Sequence, residues 1–284
     1  MITGLDHVAL VVRDLDAAMA GYGALLGREA DWVGRADGVR QAWFQLPNMA
    51  LDLIAPEGDG AFADRIRAHL DAHGEGLWAV AFSSDDLAGD ARLMSRRGLA
   101  ATEPAALRTT ADDGAFREWA VASLDAAATA GVRLLLVGPS AQAWPVAPTP
   151  VGGVSELDHI VIRTGNCDRA LGIYGAKLGL DLRLDRANES WGVRQLFFRC
   201  GSAVVEFGAS LKTPVSDAPD GFGGLAWRVL DADATQARLS AAGFDVSEVR
   251  IGRKPGTRVF TLRAGIPGGP ALIIQQNAEA AGAI

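Results

Sequence analysis

From Leu5 to Val12 the chain reads Leu-Asp-His-Val-Ala-Leu-Val-Val, an almost unbroken apolar run of the kind a strand buried on both faces requires. Asp14 follows as a helix N-cap. Leu15, Ala18, Met19, Tyr22 and Leu26 then recur at three- and four-residue spacing up to Gly27, which predicts a helix with one apolar stripe against a sheet. Short apolar stretches at 30–33, 39–46 and 50–54 come next, separated by turn residues such as Pro47-Asn48. The predicted order is β, α, β, β, β. A polar helix is read at 61–72, and His69 on it and His73 at its end read as solvated.

The same pattern returns. Leu157-Asp158-His159-Ile160-Val161-Ile162 leads through Asp168 and Tyr174-Gly175 to Gly179, at a constant shift of 152 positions from His7 to His159. Gly38-Val39-Arg40-Gln41-Ala42-Trp43-Phe44 matches Gly192-Val193-Arg194-Gln195-Leu196-Phe197-Phe198 at a shift of 154, so two residues enter in the preceding loop. In that register Leu51-Asp52-Leu53 falls opposite Val205-Glu206-Phe207, an acid between apolar residues in each copy. A second kind of unit follows each: an apolar strand at 77–82 or 224–229, an Asp-capped helix closed by Gly98 or Gly243, and a final apolar strand at 134–137 or 272–274. Four βαβββ modules therefore fill the chain. The expected class is α+β, in two tandem halves at 1–147 and 154–284, joined by the Pro-rich stretch from Trp144 to Pro150.

Composition narrows what such a chain does. With 27 basic against 34 acidic side chains the net charge is −7 and no basic run stands out, which argues against a nucleic-acid partner. No apolar run reaches the ~18 residues of a membrane helix, and no signal-like segment opens the chain, so a cytoplasmic location is expected. Cys167 and Cys200 lack metal spacing and read as free thiols. No Ser-His-Asp or Cys-His arrangement, phosphate loop or Rossmann glycine pattern is present.

The motifs Leu-Asp-His-(Val/Ile) opening a strand, Asp-Leu-Asp opening the helix, Leu-Gly closing it, and an apolar-acid-apolar strand resemble the vicinal oxygen chelate superfamily. That superfamily holds glyoxalase I, methylmalonyl-CoA epimerase, extradiol dioxygenases and bleomycin- and fosfomycin-resistance proteins. The resemblance implies module pairs wrapped around a cleft in which a divalent metal (Mn, Fe, Co, Ni or Zn) is held by a strand His and a last-strand acid. Carried over by position, the metal ligands are His7, Asp52, His159 and Glu206, with Asp52 and Glu206 as the acids that move a proton.

Modules two and four depart from this set. Ala79 and Gly224 stand where the His belongs, and Leu135 and Leu272 where the acid belongs. Each cleft therefore keeps two of four ligands, unless module one faces module three and the four surviving residues form one site. Only His159 lines up with an extradiol dioxygenase ligand, which disfavours that class. For substrate contacts the sequence offers Arg40, Gln41, Trp43, Trp78, Arg194, Gln195, Phe197 and Trp227, the arginines as clamps for a carboxylate. Two functions follow: a metal-dependent lyase, isomerase or epimerase acting on a small oxygenated substrate, or a metal-free small-molecule-binding protein of the bleomycin-resistance type. Association into a homodimer is compatible with either.

Overall fold

The structure is a computed structural model and describes residues 1–140, 142 and 145–276; Trp144, the start of the expected linker, lies outside them. Module one comprises β1 (Ile2–Val11), α1 (Leu15–Leu26), β2 (Trp32–Ala36), β3 (Val39–Gln45) and β4 (Ala50–Pro56). Asp14 caps α1 by accepting from the Ala17 amide at 3.0 Å, and Gly27 ends it with φ of 74°. After α2 (Ala61–His73), module two contains β5 (Gly76–Ser84), α3 (Leu87–Arg96), β6 (Ala105–Thr110), β7 (Phe116–Ser123) and β8 (Leu134–Val137).

Module three contains β9 (Val154–Arg163), α4 (Cys167–Ala170) continued by a π-helical segment (Leu171–Lys177), then β10 (Asp181–Asn188), β11 (Val193–Cys200) and β12 (Ala203–Ser210). Module four contains β13 (Gly221–Val229), α5 (Ala232–Ala241), the two-residue strands β14 (Asp245–Val246) and β15 (Arg250–Ile251), β16 (Thr257–Ala264) and β17 (Ala271–Gln276).

The modules pair within each half. β1 runs antiparallel to β5, and β9 to β13. The arrangement of module one facing module three is therefore not formed, and among the described residues no three or more His, Cys, Asp or Glu side chains are grouped so that together they could hold a metal ion.

The two sheets differ in closure. The first has the order β1-β4-β3-β2-β6-β7-β8-β5 and closes into a barrel through one pair, Arg35 opposite Thr110. The Trp32 indole N–H supports that seam by donating to Thr109 Oγ1 at 3.1 Å. The second runs β10-β11-β12-β9-β13-β17-β16-β14 and stays open, since its end strands β10 and β14 do not meet.

Helix α2 leaves His73 exposed and His69 partly exposed, but its opposite face is buried. Ala63, Ile66 and Leu70 form a buried stripe against Ala9, Val11, Val39, Ile54 and Trp78. These strand residues share the inward face of the barrel, so the first half is plugged rather than hollow. The opposite faces of both sheets meet in one core, which holds Tyr22, Leu25, Phe44, Phe82, Tyr174, Phe198, Phe207, Trp227 and Phe260. Cross-half hydrogen bonds lock it: Tyr22 donates to the Pro267 carbonyl at 2.8 Å, and Asn48 bonds the Leu157 backbone both ways at 2.8 and 3.1 Å. The thiols of Cys167 and Cys200 are buried and free.

Candidate functional site

The inner face of the open sheet carries a continuous row of polar side chains. Gln195 Nε2 donates to Glu206 Oε1 at 2.7 Å, and Glu206 Oε2 lies 3.3 Å from His159 Nε2. His159 Nδ1 meets Asp158 Oδ1 at 2.8 Å, and Asp158 Oδ2 accepts from Arg228 Nη2 and Nε at 2.7 and 3.1 Å. Arg228 also reaches Glu156. Strand pairing sets the spacing: Glu206 sits opposite Phe197 on one side and Val161 on the other, and His159 sits opposite Ala226. The far wall is apolar, built from Ala226, Val259, Leu272 and Ile274.

Adjacent strand residues normally point to opposite faces, so Asp158 and His159 could not both serve one cleft in a regular strand. A β-bulge resolves this. Leu157 pairs with Trp227 and His159 with Ala226, which leaves Asp158 as the extra residue. Leu157 then enters the core while Asp158 stays beside the imidazole. The first half repeats the device: Leu5 pairs with Phe82, His7 with Ala81, Asp6 is skipped, and Asp6 Oδ1 lies 2.6 Å from His7 Nδ1. The recurring Leu-Asp-His thus encodes a core residue, an orienting acid and an inward His. Burial pushes the Asp158 carboxyl up, but the His159 hydrogen bond and the Arg228 guanidinium outweigh it and hold it at about 2.

The first half has the matching Gln–acid pair, with Gln41 Nε2 donating to Asp52 Oδ2 at 3.0 Å, but the environment is sealed. Asp52 is 2% exposed and its Oδ1 finds no partner. His7 packs edge-on to Trp43 at 4.8 Å, Trp43 packs on Trp119 at 5.3 Å, and Arg117 stands 3.9 Å over the Trp43 ring. Burial lifts the Asp52 carboxyl well above the usual carboxylate range; the Arg117 charge and the Gln41 hydrogen bond pull the other way without offsetting it.

A carboxyl raised in the folded state stabilises fully below the ordinary carboxylate range, near pH ~4, and that contribution is lost as pH rises through the raised value. Asp52→Asn keeps an acceptor for Gln41 and removes the ionisation. Denaturant unfolding from mildly acidic to neutral pH is expected to show wild-type stability falling with pH and the Asp52→Asn profile flat and higher at neutral pH. Parallel profiles would mean that Asp52 titrates normally.

The remaining expected contacts divide by face. Arg40 and Arg194 precede the inward glutamines and so point outward: Arg40 pairs with Asp16 of α1 at 2.9 Å, and Arg194 with Asp168 of α4 at 2.9 Å and with Asp185 at 2.8 Å. They brace the repeated helix on its strand and do not clamp a ligand from inside the cleft. Trp78 packs on Phe62 of α2 beneath Arg133. Trp227 is fully buried in the core between the sheets, facing away from the cleft. Phe197 and Gln195 stay in the open cleft. Asp158, Arg228 and Arg117 lie outside the set the sequence offers; for Arg228 the legible signal is an Arg inside the otherwise apolar strand Gly221–Val229, whereas Arg117 stands beside Glu118 in Phe116–Ser123 and carries no such signal.

The pair His159 Nε2 and Glu206 Oε2 fits a divalent metal by chemistry and spacing. Imidazole and carboxylate are the donors such ions take at about 2.0–2.2 Å. Donors 3.3 Å apart can both reach one ion. Asp158 on Nδ1 fixes the ring so that Nε2 faces the site, the usual outer partner of a metal-binding His.

Residues 6–116 and 158–261 match the model of the Glyoxalase/Bleomycin resistance protein/Dioxygenase superfamily, and the chain belongs to that superfamily. Among solved structures it is similar to a variant of 4-hydroxymandelate synthase from Streptomyces coelicolor (TM-score 0.72, 16% identity, covering 98% of this chain and 94% of that one). It is also similar to the Mn(II)-bound glyoxalase from Novosphingobium aromaticivorans (TM-score 0.67, 18% identity, 97% and 82% covered). At these identities the likeness shows the fold. The chain matches no curated protein. No described helix is long and apolar enough to cross a membrane.

Proposed function

We propose that the open second-half cleft is a metal-assisted proton-transfer site of lyase, isomerase or epimerase type for a small oxygenated substrate, and that the first half is its scaffold. The observation that carries this reading is the His159–Glu206 pair, 3.3 Å apart, 13% exposed on each side chain, and backed by Asp158. His159 Nε2 and Glu206 Oε2 would hold the ion, which when bound supplies Lewis-acid stabilisation of charge developing on a substrate oxygen. Gln195 orients Glu206 through Oε1, and Glu206 is the group placed to accept a proton from carbon. Arg228 keeps Asp158 ionised, so Asp158 holds the imidazole by its Nδ1–H.

Elemental analysis of chain purified without chelators tests this. One divalent ion per chain is expected in wild type and in His7→Ala, and none in His159→Ala. Metal that follows His7 instead would move the site to the first half. The apolar wall of Ala226, Val259, Leu272 and Ile274, with only two ligands present, favours the second reading, a metal-free binding cleft. No stoichiometric metal under any supplement would select it.

A further inference from the structure

The mouth of the second cleft carries cations that form no salt bridge with a described carboxylate. Arg186 on β10 sits opposite Gln195, and its Nη2 donates to Gln195 Oε1 at 3.4 Å. Arg253 arrives from the opposite end of the sheet, on the turn between β15 and β16, and stands 4.1 Å from the centroid of the Trp191 ring. Arg186 stands 5.5 Å from the same ring, and Trp191 itself is 38% exposed. Lys254, next on that turn, is half-buried within electrostatic range of Asp158 and Arg228.

Several arginines of this half are paired with carboxylates, Arg194 with Asp185, Arg228 with Asp158, Arg258 with Asp233 and Arg263 with Asp245, while Arg163 and Arg238 spend guanidinium hydrogen bonds on backbone carbonyls. Arg186, Arg253 and Lys254 make no salt bridge with a described carboxylate. Nor is Arg186 a relic of the repeat. The first-half residue opposite Gln41 is Gly34, where a Cβ would come within 2.8 Å of the Trp32 indole nitrogen. The cations also flank the gap between β10 and β14, whose first-half counterpart is sewn shut by Arg35 and Thr110. On a chain of net charge −7, a positive mouth steers anions into the one open sheet.

We infer that the second cleft takes an organic anion: an apolar body lying against Phe197, Ala226 and Leu272, and one oxyanion group, carboxylate or phosphate monoester, gripped at the mouth by Arg186 and Arg253. This rests on the reading of that cleft as a small-molecule site but not on the metal. Guanidinium forks match both oxyanions bidentately, and the Trp191 face holds them extended for that contact.

Benzoate, phenyl phosphate and benzamide, titrated calorimetrically and by tryptophan fluorescence into the chain as purified and again after chelation, test it. At least one anion is expected to bind about tenfold or more tighter than benzamide, and Arg186→Gln and Arg253→Gln are each expected to weaken it about tenfold. Which anion binds tighter identifies the headgroup. Trp191→Phe should lose the fluorescence response and keep measurable calorimetric binding. Benzamide binding as well as both anions, undiminished anion binding in the double Arg variant, or no binding by any probe overturns the inference. Since the chelated chain is included, such a failure leaves the elemental analysis of His159→Ala untouched.

Discussion

Glu206→Gln is expected to abolish stoichiometric metal and to lower turnover by about 10²–10⁴-fold, the usual weight of a positioned general base, while the fold persists. The substitution is isosteric, and its backbone stays in the β12 ladder between Phe197 and Val161. What is lost is the negative charge that faces His159 Nε2 at 3.3 Å and accepts from Gln195 at 2.7 Å. A neutral amide is a poor ligand and cannot accept the proton. Metal content and circular dichroism of the variant decide the matter together: a folded Glu206→Gln chain that retains its full metal complement would show that this carboxylate is not a ligand.

Trp227→Ala is expected to cost about 3–5 kcal/mol of unfolding free energy, the range for deleting a large ring from a core that cannot collapse around the void. Trp227 has no exposed surface and shares its core with residues of both sheets. Chemical denaturation of wild type and variant measures the loss, and anion titration of the same variant below its transition should show unchanged affinity. A variant of native stability with weakened ligand binding would reverse the placement of this ring.

Much of the fold was legible because the determinants are local or repeated. Asp14 and Gly27 bound α1 as their chemistry demands, and a pattern met twice at fixed shifts named four modules. Alternation contained more than the spacing of motifs suggested: once Gln41 and Gln195 face inward, Arg40 and Arg194 must face the helices.

Other features are set by tertiary contacts. Ala63, Ile66 and Leu70 are apolar positions in a helix rich in Asp, Arg and His, and only the barrel mouth makes them a plug. Barrel closure depends on one strand pair, Arg35 with Thr110, which no period announces. The role of Asp158 was hidden because a bulge breaks the very alternation by which strands are read.

The joint core also bears on how such a chain can change over generations. Residues of both halves fill one apolar interior, and Tyr22, Asn48 and Arg238 bond across it to Pro267, Leu157 and Leu25. Unfolding either half would expose the other's interior, so the chain should melt in a single cooperative step. Under that constraint the first barrel is free to shed its chemistry but not its volume: an imidazole or carboxylate there can become a hydrocarbon, whereas a deletion that loosened its packing would remove the footing on which the second cleft is held. Duplication followed by such unequal freedom would leave one half specialising in mass and the other, on the proposed reading, in reaction.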